Sequence, residues 1–257
     1  MSLVIYESSN RIGYITLNRP EKRNALSKEL VSDLKVAFAQ AENDESVKVV
    51  VLKATGDSFC AGADLAYLQQ LQHFSVEENI ADSNHLKELF LQIYQLNKVV
   101  IAQVQGHALA GGCGLATICD FVFAVPEARF GYTEVKIGFI PAMVLVFLIR
   151  KIGEQKARQL LLSGELYQGE ETIKLGLVNY LVAKAQLEES VSAFANKLIV
   201  NNSAQSMMLT KQMISEVQSI TLKQALDYAA TMNAQARASS DCKNGIAAFL
   251  EKRELKW

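Results

Sequence analysis

The stretch from Val104 to Asp120 constrains the fold more than any other part of the chain, because a glycine-rich turn joins two dense apolar runs there. Those runs, 98–104 and 121–125, predict two buried strands. Residues 113–118 predict the first turns of a buried helix. Such a strand–turn–helix arrangement can aim free backbone N–H groups at an anion or a polarised carbonyl. A tight turn whose glycines serve only packing explains the same pattern.

The order of elements along the chain predicts an α/β protein. A short hairpin, 3–17, is followed by strand–helix alternation to about residue 140, and apolar-periodic helices continue to the end. Ser27 is a plausible N-cap for the first helix. The polar segment from Tyr67 to Asn84 is expected to be irregular, mobile and ligand-covering, with a helix from Leu86 to Leu96.

Composition narrows the class of protein. The chain has 257 residues, half of them apolar, and a net charge of −1, which argues against a nucleic-acid-binding protein. The four cysteines show no disulfide or metal-site spacing. The chain starts directly on a strand-like segment, and no apolar run reaches the length of a membrane span. We therefore expect a cytoplasmic protein without metal.

Three residues are candidates for catalysis or ligand binding. Glu134 lies among apolar residues and glycines, where poor hydration would raise its pKa and suit it to proton transfer. A solvated glutamate, or one paired with Lys136 or Arg150, is the alternative. Lys22 and Arg23 lie in a loop, either solvated or binding a phosphate.

Several motifs in one order resemble the crotonase family, the enoyl-CoA hydratase and isomerase superfamily. They are Asn-Arg-Pro at 18–20, Phe-Cys-Ala-Gly-Ala-Asp-Leu at 59–65, Gly-His-Ala-Leu-Ala-Gly-Gly-Cys at 106–113, Phe-Gly-Tyr-Thr-Glu at 130–134 and Ala-Phe-Leu-Glu-Lys-Arg at 248–253. The resemblance implies a spiral of ββα repeats over residues 1–196. It also implies a C-terminal helical trimerisation region over residues 197–257, in homotrimers or in hexamers built as dimers of trimers.

The resemblance also implies a site. Members of the family bind acyl-CoA and hold a thioester enolate in an oxyanion hole. By position in this chain, the oxyanion hole would be the N–H groups of Ala63 and Gly111, and Glu134 would be the proton-transferring group. Coenzyme A belongs to the substrate, and no further cofactor is implied. The residues matched to the coenzyme A site are Lys22, Arg23, Ala61, Asp64, Phe249 and Lys252, although Asp64 also fits a helix cap.

One departure from the family pattern leaves the reaction open. Two-glutamate hydratases carry a second glutamate at the position of Gly114. Its absence resembles hydratases of branched substrates such as 3-methylglutaconyl-CoA. It also suits a single-glutamate isomerase or a decarboxylase. His107, next to the glycines, is an alternative acid or base. Non-catalytic binding of acyl-CoA or RNA is the remaining alternative.

Overall fold

The structure is a computed structural model that describes residues 2–257, and it is built from two sheets surrounded by helices. The strands are β1 Val4–Ser9, β2 Ile12–Leu17, β3 Val49–Ala54, β4 Ser58–Cys60, β5 Val99–Val104, β6 His107–Leu109, β7 Phe121–Ala124, β8 Arg129–Gly131, β9 Tyr167–Gln168 and β10 Tyr180–Leu181. The first seven helices are α1 Lys28–Asn43, α2 Leu65–Leu71, α3 Val76–Gln95, α4 Gly111–Thr117, α5 Ala142–Ile152, α6 Glu154–Ser163 and α7 Glu170–Leu175. The last four are α8 Leu187–Asn201, α9 Ala204–Val217, α10 Leu222–Ala238 and α11 Ser240–Leu250.

The chain alternates between the two sheets, which makes the fold a spiral. The larger sheet has the order β1-β2-β3-β5-β7-β10 and the smaller sheet the order β4-β6-β8-β9. The successive pairs β3–β4, β5–β6 and β7–β8 each add one strand to the larger sheet and the next to the smaller one, and a helical segment follows each pair. From β2 to β10 the larger sheet is parallel, as are β4, β6 and β8 in the smaller one. The predicted crotonase-type spiral is confirmed.

The core lies between the larger sheet and the helices that pack on it. Strands β3 and β5 are apolar along most of their length because both faces are covered, as expected for a parallel sheet. Helix α1 begins at the predicted cap, where the Ser27 hydroxyl accepts a hydrogen bond from the Leu30 amide. Its face with Leu30, Leu34 and Phe38 is fully buried. Each such side chain stabilises the fold by about 1.5–3 kcal/mol through burial.

The segment 67–84 differs from its prediction. It is helical on both sides of a short connection, because α2 reaches Leu71 and α3 begins at Val76, ten residues before the predicted start at Leu86. A capping box starts α3, in which Ser75 and Glu78 each satisfy a backbone amide of the other. The prediction of an irregular segment is therefore wrong.

The C-terminal helices pack loosely on the rest of the chain. Helix α8 contacts β3, β5 and β7 of the larger sheet, and Ala195 and Ile199 are buried, so the expected boundary between residues 196 and 197 falls inside this helix. Helices α9 and α10 contain no fully buried residue. Leu222 is 78% exposed and Phe249 is 84% exposed. This region therefore presents apolar side chains that the single chain does not cover. No helix within residues 2–257 is long and apolar enough to cross a membrane.

Candidate active site

The three predicted catalytic positions follow three neighbouring parallel strands. Ala63 comes three residues after β4, Gly111 two residues after β6, and Glu134 three residues after β8. These strands pair in the order β4-β6-β8, so their carboxyl ends lie side by side at one edge of the smaller sheet. Adjacent strands are about 4.8 Å apart. The fold therefore brings together residues that are far apart in the sequence.

The Ala63 amide is oriented by a short parallel bridge. The Leu26 amide donates to the Gly62 carbonyl at 2.7 Å, and the Asp64 amide donates to the Leu26 carbonyl at 2.9 Å. In this pattern residues 62 and 64 face Leu26, so the N–H of Ala63 points to the opposite side. Gly62 has φ +91°, a conformation that favours glycine. The bridge therefore leaves the Ala63 amide free to bind a ligand.

The Gly111 amide is free because it starts a helix. As the first residue of α4, Gly111 has no acceptor for its N–H within the helix. The preceding residue, Ala110, has φ +50° and ψ −126°, and its amide donates to the Gly131 carbonyl at 2.7 Å. Such a backbone conformation costs on the order of 1–3 kcal/mol in a residue other than glycine. A Cβ built on Gly62 would lie 3.6 Å from the Gly111 nitrogen, so the two turns are in contact.

Glu134 is buried without a charged partner. It is 8% exposed, and its Oε2 atom has no hydrogen-bond partner in the described part of the chain. Burial raises the pKa of this carboxyl, and the hydrogen bond from its own backbone N–H lowers it by less. The Arg150 guanidinium donates to Ser219 instead. The prediction of a raised pKa is confirmed, and the alternative of a solvated or paired glutamate is wrong.

The three positions line one cavity of about 240 Å³. Most of its wall is apolar and comes from α1, α2, α3 and the segment 137–144. The apolar lining includes Leu26, Val31, Leu68, Leu71, Leu86, Met143 and Val144. Two amide donors and one poorly hydrated carboxyl therefore share an apolar cavity, an arrangement suited to stabilising an enolate oxygen while a proton moves on a neighbouring carbon.

Helix α4, which carries the Gly111 amide, is held at its other end by two side chains. The Lys151 ammonium donates to the carbonyls of Thr117 and Cys119 at 2.5 and 2.7 Å. The Tyr132 hydroxyl is 2.9 Å from the Thr117 hydroxyl, and Tyr132 is fully buried. Because Tyr132 precedes Glu134 by two residues, this contact fixes the helix relative to the segment that carries the carboxyl.

Gly114 lies inside α4 against Val144. A Cβ built on Gly114 would be 2.1 Å from Val144 Cγ1 and 3.1 Å from Phe90 Cε1. Val144 is also part of the cavity wall. A longer side chain at position 114 would therefore have to pass through the space that Val144 fills, and helix α4 supplies no carboxylate there.

Comparison with known proteins places the chain in a family. The family model described as enoyl-CoA hydratase/isomerase matches residues 7–257. The chain belongs to this family. It is 41% identical over 250 residues to a Thermus thermophilus protein named as an enoyl-CoA hydratase, covering 97% of this chain and 98% of that protein.

Two further relatives agree with this assignment. The crotonyl-CoA hydratase of Syntrophomonas wolfei is 33% identical, with 99% of this chain and 97% of that protein covered. The crystal structure of an enoyl-CoA hydratase from Mycobacterium smegmatis superimposes with a TM-score of 0.92 at 32% identity, covering 99% of this chain and 98% of that one. The protein is therefore an enzyme of the enoyl-CoA hydratase/isomerase family.

Two residues matched to the coenzyme A site lie in the turn that follows β4. Ala61 lines the cavity, and its amide donates to the Arg23 carbonyl at 3.0 Å. Asp64 caps α2 by accepting from the amides of Ala66 and Tyr67, and it pairs with Arg19 at 2.7 Å. Burial alone would raise the pKa of Asp64, but the hydrogen bonds from Arg19 and the two amides outweigh it and hold the pKa below its usual value. Its carboxylate is thus engaged in structure and is not part of the cavity wall.

The remaining residues predicted for the coenzyme A site lie outside the cavity of the single chain. Lys22 and Arg23 are exposed in the loop that contacts Ala61. Phe249 and Lys252 are exposed at the end of α11 and beyond it, and neither lines the cavity. Their roles stay predictions.

His107 is not a substitute for the missing glutamate. It is exposed on β6, its Nδ1 atom accepts a hydrogen bond from the Arg129 amide at 3.2 Å, and it does not line the cavity. No residue of β6 lines the cavity, whereas Ala110 and Gly111, which follow the strand, do.

Sequence reasoning did not single out Tyr67, Asp82 or His85 of the cavity wall, although it expected the segment 67–84 to cover a ligand. The Tyr67 hydroxyl donates to Asp82, which joins α2 to α3, and His85 lies 3.1 Å from the Ser32 hydroxyl. The three-residue spacing of Asp82 and His85 on one helix face was the signal that could have found them.

A larger cavity, of about 770 Å³, lies elsewhere and contains none of the predicted site residues. It is bordered by α9, the end of α4 and α5. Its charged residues are engaged in structure, since Lys211 pairs with Asp120 at 2.7 Å and Lys151 holds α4. Within residues 2–257 no group of three or more histidine, cysteine, aspartate or glutamate side chains is arranged to hold a metal ion.

Proposed function

We propose that the enzyme adds water to 2-enoyl-CoA thioesters through an enolate. The observation that carries this proposal is the convergence of the Ala63 and Gly111 turns and the buried Glu134 carboxyl on one apolar cavity. Two amide donors suit an oxygen that becomes negative during the reaction, and each such donor typically contributes about 2.7–4 kcal/mol to the transition state.

The proposed reaction uses one carboxylate twice. The Glu134 carboxylate takes a proton from a water molecule whose oxygen forms a bond to C3 of the enoyl group. The electron pair of the C2=C3 bond moves toward the thioester, and its oxygen becomes the enolate held by Ala63 and Gly111. Glu134 then gives the proton to C2, so that the elements of water are added and the carboxylate is restored. A raised pKa suits both steps near neutral pH.

The substrate we propose is a short branched enoyl-CoA, such as 3-methylglutaconyl-CoA. The cavity volume of about 240 Å³ suits a short acyl group, and with Gly114 under Val144 helix α4 supplies no carboxylate to hold the water. Groups on a branched or carboxylated substrate can help to hold it. Coenzyme A enters as part of the substrate, with Lys22 and Arg23 near its phosphates.

The assembly we propose is a homotrimer, alone or paired into a hexamer. The exposed apolar residues of α10 and α11 support subunit contacts, because a single chain leaves them uncovered. Phe249 and Lys252 would then complete the coenzyme A site of a neighbouring subunit. A cytoplasmic location fits the four unpaired cysteines, three of which are buried.

The test is to incubate the purified enzyme with a panel of enoyl-CoA thioesters in ¹⁸O-labelled water and to follow the products by mass spectrometry. Hydration adds one labelled oxygen to the product. A product of unchanged mass with a moved double bond would instead support the isomerase, which the single buried carboxyl also fits. Loss of carbon dioxide would support the decarboxylase.

A further inference from the structure

We propose that the hydroxyl of Thr133 orients the attacking water beside Glu134. This inference rests on the proposed hydration reaction and adds a residue to it. Thr133 lines the cavity and directly precedes Glu134 in the chain.

The Thr133 side chain does not cap the turn that follows it. Thr133 is the residue before the 3₁₀ turn Glu134–Ile137, and its φ of −94° and ψ of 3° lie outside the extended conformation from which a threonine side chain caps a helix. Its side chain makes no hydrogen bond to an amide of the turn. It also makes no hydrogen bond to any other group in residues 2–257, and the residue is half-buried. The hydroxyl is therefore available to a molecule in the cavity.

Other polar groups of the cavity wall are already engaged. The Ser27 hydroxyl caps α1 by accepting from the Leu30 amide at 3.3 Å. The Tyr67 hydroxyl donates to Asp82. The imidazole of His85 lies between Ser32 and Lys35, at 3.1 and 3.4 Å.

The two remaining polar residues of the wall, Lys28 and Ser83, are exposed at its rim. Thr133 thus supplies the unengaged hydroxyl that is next to the carboxyl in the chain.

Hydration needs two groups on the water. Glu134 accepts one proton, and a second group must hold the molecule so that its lone pair faces C3. Val144 fills the space over Gly114, so α4 supplies no carboxylate for this purpose. A hydroxyl can donate to the water oxygen or accept its second proton in a hydrogen bond. It does not accept the proton that is transferred, which passes to Glu134 and then to C2.

The matched variants are Thr133→Val, which keeps the branched shape without the hydroxyl, and Thr133→Ser, which keeps the hydroxyl. We expect Thr133→Val to lower kcat for hydration by roughly 3- to 10-fold with little change in KM, as for loss of one neutral hydrogen bond. Thr133→Ser should retain most of the rate. Thr133→Ala serves as a second hydroxyl-free variant if Thr133→Val folds poorly.

A second reaction separates water orientation from a structural effect. Exchange of the C2 protons of a saturated acyl-CoA in heavy water needs Glu134 and the two amides but no water addition. We expect Thr133→Val to leave this exchange at the wild-type rate.

An equal loss of hydration and of exchange would show that Thr133 acts only through Glu134 and would overturn the inference. So would hydration at the wild-type rate in the hydroxyl-free variants. A wild-type enzyme that exchanges C2 protons but hydrates no enoyl-CoA would overturn the proposed function itself, and the inference with it.

Discussion

Position 114 offers the sharpest test of how the cavity is built, because a carboxylate can be introduced there only if Val144 is made smaller. The perturbation is the pair Gly114→Glu and Val144→Ala, made singly and together. Gly114→Glu alone places a Cβ 2.1 Å from Val144 Cγ1, well inside contact distance. Overpacking of this kind typically costs about 1–3 kcal/mol.

The stability of the four proteins can be estimated from the contacts. Val144→Ala removes two buried methyl groups, at about 0.8 kcal/mol each, and Val144 is 5% exposed. In the double variant the new side chain passes through the space that those methyl groups leave. We therefore expect the double variant to be more stable than the sum of the single effects, with a coupling of about 1–3 kcal/mol in a double-mutant cycle measured by denaturant unfolding.

The activity assay is hydration of crotonyl-CoA, followed as loss of the absorbance of the conjugated thioester. We expect slow hydration by the wild-type enzyme, because a positioned acid or base is typically worth about 10²–10⁴-fold. The double variant should gain about tenfold or more, since Val144 lines the cavity and a side chain in its place reaches it. Gly114→Gln with Val144→Ala is the matched control, because it has the same size without a base.

Two results would refute this reasoning. Additive stability effects would show that residues 114 and 144 do not share space. Fast crotonyl-CoA hydration by the wild-type enzyme, approaching a kcat/KM of about 10⁸ M⁻¹s⁻¹, would show that another group already does the work of the missing glutamate.

Three further predictions concern the carboxyl, the turn and the assembly. Glu134→Gln should keep acyl-CoA binding in calorimetry but lower turnover by about 10²–10⁴-fold. Burial raises the pKa of Glu134, so the folded protein keeps the carboxyl protonated to higher pH than the unfolded chain does. The contribution of Glu134 to stability is therefore fully present below the usual glutamate pKa and is lost as pH rises through the raised pKa. Glu134→Gln should accordingly raise the melting temperature at pH 8 but not at pH 4. A variant with near-wild-type turnover would show that another group carries the proton. Asp64→Ala should lower the free energy of unfolding by about 2–4 kcal/mol, because it removes a helix cap and leaves the half-buried Arg19 without its partner. Asp64→Asn should lower it by less, because an asparagine can still cap the helix. Equal losses in the two variants would assign the effect to the ion pair. Sedimentation at micromolar concentration should show trimers or hexamers, and a monodisperse monomer would contradict the proposed assembly.

Local signals in the sequence were sufficient for several parts of the site. The caps at Ser27 and Asp64 were predictable because a cap depends on residues within three positions of it. The helix after Gly111 was predictable for the same reason, since the strand, the glycines and the apolar run adjoin. The prediction for segment 67–84 was wrong because its many polar residues show no clear helical period. The capping box of Ser75 and Glu78 was nevertheless present in the sequence.

The cavity itself depends on contacts between distant parts of the chain. No local pattern shows that the side chain of Val144 fills the space over Gly114, thirty positions away, or that Ala63 pairs with Leu26. The resemblance to a family supplied the positions of Ala63 and Gly111, and only the pairing of β4, β6 and β8 explains why these positions meet. The position of the expected boundary at 196 and 197, inside α8, likewise depends on contacts between α8 and the larger sheet that no local pattern shows.

The absence of a carboxylate on helix α4 also bears on the pKa of Glu134. Burial, not a neighbouring negative charge, raises that pKa in the wild-type enzyme. A glutamate at position 114 that reached the same cavity would add a like charge, which disfavours ionisation of both carboxyls. The two groups would then titrate as a pair. In the double variant Gly114→Glu and Val144→Ala, the acidic limb of the kcat/KM profile should therefore move to higher pH than in the wild-type enzyme. An unchanged acidic limb, together with a raised rate on crotonyl-CoA, would mean that the new carboxylate acts from outside the reach of Glu134.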